Sequence, residues 1–215
     1  MATCQKKCYI YDMKRSGATS LITAILEHVE SLGESAPLCA KELLHLGSRA
    51  AVDQALSRLA RRGRLLRLSH GLYARPLETR FGRRPPSPFE VVAGLSRLTG
   101  ETIAEHGAVA ANRLGLTQQV PVRQVFLTTG RSRRLRLGAQ AVEIRHAPAW
   151  QLVLAGRPAG EAIRALAWLG PERARQALGG LRARLPAEEL AQLTSARPRL
   201  PGWLAQGISE AITGA

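Results

Sequence analysis

The spacing of apolar residues changes from that of a helix to that of a hairpin within the segment Ser48–Pro76. The first half repeats its apolar positions at i, i+3, i+4 and i+7, which is the spacing of one buried helical stripe. That stripe consists of Val52, Ala55, Leu56 and Leu59. Ser48 is suited to be the N-cap of this helix, and Gly63, after two arginines, is suited to end it. The pattern therefore predicts an amphipathic helix between Ser48 and Gly63.

The second half of the segment predicts two short strands joined by a tight turn. The stretch from Arg64 to Leu68 partly alternates between polar and apolar residues, and Leu72–Ala74 returns as a second strand. Ser69-His70-Gly71 between them is a turn signal. Pro76 ends the hairpin because proline has no N–H to donate to a sheet.

Two more helices are expected before this segment. The stretch Ser20–Ser31 carries its apolar residues on one face, namely Leu21, Ile22, Ile25, Leu26 and Val29. The stretch Cys39–Leu46 offers Leu43, Leu44 and Leu46 as apolar contacts, and Gly47 opens a tight turn into Ser48. Three helices, a short turn before the third and a hairpin after it are the order of elements in a winged helix-turn-helix domain of about 60 residues.

The rest of the chain predicts an α+β domain with a small sheet and a helical C-terminal part. Helices are expected at Pro88–Leu98, Gly107–Leu114, Gly160–Leu169, Pro171–Arg182, Pro186–Ala196 and Leu200–Ile212, and strands at Val122–Thr128, Arg133–Leu137 and Ala141–Arg145. The fold class is thus α+β, with an N-terminal winged helix-turn-helix before the α+β domain. The expected boundaries are a basic tail at 1–16, the winged helix at 17–77, a Pro- and Arg-rich linker at 78–88 and the C-terminal domain at 89–215.

Charge points to a polyanionic partner. The net charge is +15 and the isoelectric point about 11.3, although the hydrophobic content of 45% is ordinary. No apolar run approaches the roughly 20 residues of a membrane span, and the N-terminal residues lack the apolar core of a secretory signal. Nucleic acid is therefore favoured over a membrane surface. Three cysteines, an odd number, favour a reducing cytoplasm over a disulfide framework.

The winged-helix interpretation assigns double-stranded DNA to a particular face. Glutamine suits adenine and arginine suits guanine by bidentate hydrogen bonding in the major groove. The helix residues expected to contact DNA are Arg49, Gln54, Ser57, Arg58, Arg61 and Arg62, and those of the wing are Arg64, Arg67, His70 and Arg75. Lys6, Lys7, Lys14 and Arg15 are expected to add non-specific affinity. The competing interpretation is an ordinary solvated helix face, which the adjacent turn and hairpin make less favoured.

Two further groups of arginines have alternative interpretations. A second basic patch, Arg131, Arg133, Arg134 and Arg136, either contacts phosphate or an acidic partner, or is a charged strand edge that discourages edge pairing. The linker either is simply extended or lies along the DNA backbone through Arg80, Arg83 and Arg84.

The chain offers little that resembles catalytic or metal chemistry. It has no Gly-rich phosphate loop, GxSxG elbow or HExxH pair, so we expect no enzyme, no cofactor and no metal. The nearest candidate site, that of a nucleic-acid-processing enzyme, consists of Glu101, Glu105 and His106. A zinc site of Cys4 and Cys8 with His28 or His45 lacks a second close pair of ligands. His146 is expected to be packed or capping, and Cys39 to be a small buried residue.

Both halves of the chain resemble one bacterial family. The runs LGSRAAVDQALSRLARRGRLLRLSHGLYARP, GAVAANRLGLTQQVPVRQVFLTTGRSRRLRLG and VEIRHAP occur in the order found in AbiEi-like proteins, and the resemblance covers roughly residues 25 to 170. These proteins are antitoxins or transcriptional regulators of type IV toxin–antitoxin (abortive infection) systems.

The resemblance implies functions that the residue patterns alone do not indicate. It implies a winged helix that binds inverted repeats in the protein's own promoter, and a C-terminal domain that counters a nucleotidyltransferase-like toxin encoded next door without a stable complex. The hypothesis is therefore a DNA-binding autorepressor that is the antitoxin of such a phage-defence system. The alternatives are a stand-alone winged-helix regulator with a ligand-sensing or dimerising C-terminal domain, and the enzyme centred on Glu101.

Overall fold

The computed structural model describes residues 20–33 and 35–213, with the side chains of residues 212 and 213 left out. The basic tail and Cys4 and Cys8 lie outside the described residues. The chain divides into two compact units between Pro86 and Ser87. Each unit is described by itself below.

The first unit places two helices beside a small antiparallel sheet. Its elements are α1 (Leu21–Ser31), β1 (Pro37–Cys39), a 3-10 helix (Ala40–Leu43), α2 (Arg49–Arg61), β2 (Leu66–Ser69), β3 (Leu72–Ala74), β4 (Leu77–Thr79) and β5 (Gly82–Arg84). The sheet has the order β1-β3-β2, while β4 and β5 form a separate antiparallel pair.

Caps and a buried stripe define the two long helices of this unit. The Ser20 hydroxyl accepts a hydrogen bond from the backbone N–H of Thr23, and the Ser48 hydroxyl accepts one from Ala51. Gly63 has a φ of +68°, the left-handed conformation that ends many helices. The predicted stripe of α2 is confirmed, since its four residues are buried together with Ile25 and Leu43 in one core cluster.

The expected helix over Cys39–Leu46 is wrong in type and length. Strand β1 ends at Cys39, and only the four residues Ala40–Leu43 are helical, in a 3-10 turn. The carboxylate of Glu42 accepts a hydrogen bond from the Cys39 N–H at 2.9 Å, and the Ala40 N–H donates to the Gly71 carbonyl at 3.0 Å. Pairing with β3 therefore overrides the local helical pattern. Leu44 is consequently 44% exposed, and Cys39 is half-buried rather than buried.

The expected linker begins with a hairpin. Leu77 pairs with Arg84 and Thr79 with Gly82, although we predicted no periodic structure over residues 78–88. The Thr79 hydroxyl donates to the Gly82 carbonyl at 2.7 Å and accepts from the Phe81 N–H at 3.3 Å. Gly82 has a φ of +103°, which only glycine adopts readily. A three-residue strand is too short to produce a recognisable alternation in the sequence.

The second unit combines a four-stranded mixed sheet with helices. Its elements are α3 (Pro88–Thr99), β6 (Ile103–Glu105), α4 (Gly107–Arg113), β7 (Gln124–Thr128), β8 (Arg133–Leu137), β9 (Gln140–His146), a 3-10 helix (Ala149–Leu152), α5 (Pro158–Arg182), α6 (Ala187–Ala196), a second 3-10 turn (Arg197–Arg199) and α7 (Gly202–Thr213). The sheet order is β6-β7-β9-β8, and only the β7–β9 pair is parallel. The protein is therefore α+β, as predicted, although strand β6 was not expected.

The C-terminal helices of this unit share one apolar core. Ile163 and Leu166 of α5 pack with Leu204 and Ile208 of α7, and all four are fully buried. Helix α5 is interrupted at Gly170, whose φ of 77° and ψ of 168° are not helical, just before Pro171. This kink corresponds to the boundary predicted between two helices. In the described ranges no helix is long and apolar enough to cross a membrane.

A substitution at Gly107 tests the close contact between α4 and α5. A Cβ at this position would lie 2.1 Å from the Arg164 carbonyl oxygen and 2.7 Å from the Cβ of Trp168. We expect Gly107→Ala to lower the free energy of unfolding by about 1–3 kcal/mol, because the backbone contact leaves no room for a methyl group. Urea denaturation followed by circular dichroism measures the change.

The matched control is Gly179→Ala in α5, where an added Cβ meets nothing within 4 Å. This substitution should raise the stability by up to about 1 kcal/mol, because alanine favours the helix. Equal effects of the two substitutions would contradict the close contact at Gly107.

Candidate nucleic-acid interface

The exposed side of α2 presents a small set of polar and cationic side chains. Gln54, Arg58 and Arg61 are exposed and Ser57 is half-buried, opposite the buried stripe that holds the helix in the core. Within the described part of the chain, no carboxylate forms an ion pair with Arg58 or Arg61. Both guanidinium groups are therefore open to an external anion.

Arg49, also expected on this face, already has a partner. Its Nε donates to Asp53 Oδ2 at 2.8 Å, one helical turn away, and both side chains are about half exposed. This hydrogen bond raises the pKa of Arg49. Arg62 is exposed at the C-cap of α2. The two ends of the helix thus differ, since charge is compensated near the N-terminus and uncompensated near the C-terminus.

The β2–β3 hairpin carries two predicted contact residues, Arg67 on strand β2 opposite Tyr73 and His70 in the turn. Arg67 and His70 are exposed, and Arg67 Nη2 lies 3.4 Å from His70 Nδ1. Leu68 and Leu72 are buried beneath them, and Gly71 closes the turn with a φ of +69°. The strand β3 also pairs with β1, so this hairpin is braced from one side by the sheet.

Arg64 and Arg75 lie at the base of the same hairpin rather than along it. The pairing of Leu66 with Ala74 places both outside the open end of the strands. Together with Arg83 they line a narrow pocket of about 70 Å³ that also contains Glu30 and Glu78. These two arginines therefore share their surroundings with carboxylates, unlike Arg67 on strand β2.

The β4–β5 hairpin adds a third basic element, whose arginines the sequence interpretation assigned to an extended linker. Arg83 Nε donates to Glu78 Oε1 at 2.7 Å, whereas Arg84 is exposed. The guanidinium carbon of Arg80 lies 4.7 Å from the ring centroid of Phe81, and Phe81 is 86% exposed. The signal in the sequence was the four residues from Thr79 to Gly82, a turn with glycine at its last position.

The second basic patch is smaller than the sequence predicted. Arg133 forms a bidentate pair with Glu101 at 2.9 and 2.6 Å, and Arg134 lies 3.4 Å from Glu143. Arg131 and Arg136 are exposed. Arg133 thus forms a stabilising ion pair inside the second unit. Arg131 lies at the turn before β8, and Arg134 and Arg136 lie on β8, which is an edge strand.

The three candidate catalytic residues are engaged in three different contacts. Glu101 accepts from Arg133 and from the Thr128 hydroxyl, and these bonds, led by that from Arg133, lower the pKa of Glu101. Glu105 binds Arg113 at 2.6 Å. The His106 ring is the N-cap of α4, accepting from the Ala108 N–H at 3.2 Å, and its burial, with a smaller effect of Arg145, lowers the pKa of His106. Each side chain therefore has a structural role in the second unit.

A buried arginine lies near one of these contacts. Arg113 bridges Glu105 and Glu161 through two ion pairs of 2.6 and 2.8 Å. Arg164 is 2% exposed and donates to the Ala155 carbonyl at 3.3 Å, and burial lowers the pKa of Arg164. The carboxylates of Glu161 and Glu105 offset part of the electrostatic cost of burying Arg164. The spacing of residues in the sequence did not indicate this arrangement.

Possible metal ligands are dispersed. No group of three or more His, Cys, Asp and Glu residues is arranged to hold a metal ion among the residues that the structure describes. The rings of His28 and His45 meet edge to face with centroids 5.9 Å apart, whereas Cys4 and Cys8 are outside the described ranges. His146 is exposed rather than packed, although its Nδ1 lies 2.8 Å from the Gly130 carbonyl oxygen.

The fold and surface define an α+β protein whose first unit bears a basic helix and two basic hairpins. Residues 24–179 match a family of unknown function, DUF6088, and the chain belongs to this family. Comparison with curated proteins finds no match. A similar solved structure is the crystal structure of the RV2827C protein from Mycobacterium tuberculosis, at 18% identity over 90% of this chain and 76% of that chain, with a TM-score of 0.47.

The Glu101–Arg133 pair gives stability a defined pH dependence. A carboxyl whose folded pKa is depressed stabilises the protein above its unfolded pKa, and this contribution disappears as the pH falls through the folded pKa. We therefore expect Glu101→Gln to lower the urea midpoint at neutral pH, and the deficit relative to the wild type to shrink below pH 4.5, the ordinary pKa of the group.

The exposed Glu172 provides the control, since Glu172→Gln should leave the midpoint nearly unchanged at every pH. A deficit for Glu101→Gln that stays constant far below pH 4.5 would show that lost packing, rather than the lost charge, is responsible.

Proposed function

We propose that the first unit is a winged helix-turn-helix module that binds double-stranded DNA, with α2 in the major groove. The observation that carries this proposal is the polar face of α2, with Gln54, Arg58 and Arg61 free of ion pairs among the described residues, followed in the chain by a hairpin that exposes Arg67 on its first strand and His70 in its turn. The major groove of B-DNA, about 12 Å wide, accommodates a helix. The sheet order β1-β3-β2 is consistent with a wing held beside that helix.

Charge supports a nucleic-acid partner for this unit. Residues 49–84 contain ten arginines and two carboxylates, and both carboxylates, Asp53 and Glu78, are already bound to arginines. Phosphate contacts by the remaining arginines release condensed counterions, which drives binding and makes it salt-dependent. A protein partner would need an equally dense acidic surface to match this segment.

Contacts to bases and to phosphates fall to different residues in this proposal. Gln54 is suited to adenine, and Arg58 and Arg61 to guanine, because of their bidentate geometry. Arg67 and His70 contact phosphate or the minor groove from the wing. Arg49, Arg62, Arg64 and Arg75 supply charge around this face, and Arg131, Arg134 and Arg136 form a separate patch in the second unit.

We further propose that the protein represses its own operon in the cytoplasm as the antitoxin of a type IV toxin–antitoxin system. The support is the family resemblance of both sequence halves, together with the DNA-binding proposal. The full-length protein and its Arg58→Ala variant, each co-expressed with an adjacent nucleotidyltransferase-like gene, test both roles. Growth rescue by both proteins, with promoter repression by the wild type alone, would place the two roles in different units.

Other outcomes distinguish the alternatives. The absence of such a neighbouring gene, together with promoter binding, would favour a stand-alone regulator. An enzyme that processes nucleic acid is less favoured, because its three candidate residues hold structural contacts. Nuclease activity lost in Glu105→Gln, but retained in Glu172→Gln, would reverse that preference.

Arg58→Ala should relax sequence choice at one base position. Loss of a bidentate contact to a base removes about 1–3 kcal/mol of discrimination. Quantitative footprinting and binding titrations on the protein's promoter, with single base-pair replacements, measure this change. An unchanged base preference and affinity would mean that Arg58 does not contact DNA.

Arg67→Ala should instead weaken binding to all duplexes alike. One fewer phosphate contact reduces the slope of log affinity against log salt concentration by about one unit. Arg175→Ala, at an exposed position of α5 in the second unit, is the control and should keep the wild-type slope. A loss restricted to promoter DNA would show that the wing contacts bases.

A further inference from the structure

Phe81 is the more exposed of Tyr73 and Phe81, the Phe and Tyr residues that the structure describes in the first unit. It occupies the β4–β5 turn with 86% of its surface accessible, whereas Tyr73 of the same unit is buried. A single exposed apolar residue is common on protein surfaces and needs no explanation by itself. Three contacts around Phe81 make this residue different.

The first contact is a set of hydrogen bonds within the turn. The Thr79 hydroxyl is hydrogen-bonded both to the Gly82 carbonyl at 2.7 Å and to the Phe81 N–H at 3.3 Å. Across the strands, Arg83 Nε donates to Glu78 at 2.7 Å. These hydrogen bonds place Phe81 in the turn of the hairpin with a defined backbone conformation.

The second contact fixes the hairpin relative to the end of α2. Arg83 Nη1 donates to the carbonyl of Gly63 at 3.3 Å, and Gly63 lies directly after the C-cap of that helix. The tip and the DNA-facing side chains therefore belong to one connected structure. A helix in the major groove leaves a minor groove next to it along the duplex, and a projection anchored at the helix end is placed to reach it.

The third contact is electrostatic. The Arg80 guanidinium lies over the Phe81 ring at 4.7 Å, and Arg84 is exposed on the neighbouring strand. Apolar side chains that enter the minor groove, partly unstack a base step and kink the duplex are found in proteins that also contact this groove through arginine and lysine.

We propose that Phe81 is an apolar wedge that enters the minor groove beside the site contacted by α2 and kinks the DNA there. Arg80 and Arg84 bind the phosphates or the groove floor on either side. This inference rests on the proposed DNA binding. The wedge gives the protein a preference for certain DNA sequences without contacts to base edges. The reason is that pyrimidine–purine steps are flexible and therefore the easiest to kink.

The test measures DNA shape with full-length protein. A duplex of about 20 base pairs from the promoter upstream of the gene, roughly 70 Å long, carries a donor and an acceptor dye at its ends, and a second set carries 2-aminopurine at successive positions. We expect the wild type to bend the duplex by about 20–90° and to raise the 2-aminopurine fluorescence at one step. Phe81→Ala should lose both signals, while Phe81→Leu should retain them because leucine is also found as a wedge.

Val122→Ala provides the matched control, because Val122 is 96% exposed in the second unit and its loss should leave both signals unchanged. Equal bending by the wild type and Phe81→Ala, or binding without unstacking, would overturn the wedge. If Phe81→Ala weakens binding only to single-stranded oligothymidine, Phe81 is a stacking platform and the wedge is again overturned. Duplex binding that depends on Arg58 but not on Phe81 leaves the proposed function intact, whereas failure of the wild type to bind any duplex removes both.

Discussion

Burial of one side of α2 determines which arginines of the first unit are available to a partner. Val52 and Leu56 are fully inaccessible and Leu59 nearly so, in a cluster that includes α1 and β1. Fully burying a leucine contributes about 1.5–3 kcal/mol, so rotating the helix would be strongly unfavourable. Gln54, Arg58 and Arg61 are exposed as a consequence. The DNA-binding proposal depends on this single constraint, because the same arginines directed elsewhere would only add charge.

The arginines of this protein have two different physical uses. Arg133 and Arg157 form ion pairs with carboxylates of distant elements and stabilise the second unit. Arg58, Arg61 and Arg67 form no such ion pair within the described ranges. A net charge of +15 therefore does not translate into a uniform basic surface. The unpaired arginines of the first unit lie on α2 and on the β2–β3 hairpin. They form the surface that favours a polyanionic partner.

Secondary structure was predicted correctly where the apolar repeat ran over many residues, and it was missed where the element was short. The buried stripe of α2, strand Arg133–Leu137 and the break before Pro171 followed directly from spacing and proline. The strands β1 and β6 span three residues each, too few for an alternation to be recognised. The β4–β5 hairpin was interpreted as a linker for the same reason, so Phe81 was overlooked. Among the candidate site residues, the face of α2 was predictable, whereas the pairing of Arg133 was not.

The sequence alone determined the helical periods, the cap at Ser48, the excess of positive charge and the α+β class. These properties are local or compositional, and each is expressed by residues close together in the chain. Only the tertiary structure decided that Arg133 is paired with Glu101, that Arg83 joins its hairpin to the end of α2 and that Phe81 remains exposed. The physical reason is that these two contacts join residues 32 and 20 positions apart, whose approach is governed by packing and not by spacing along the chain.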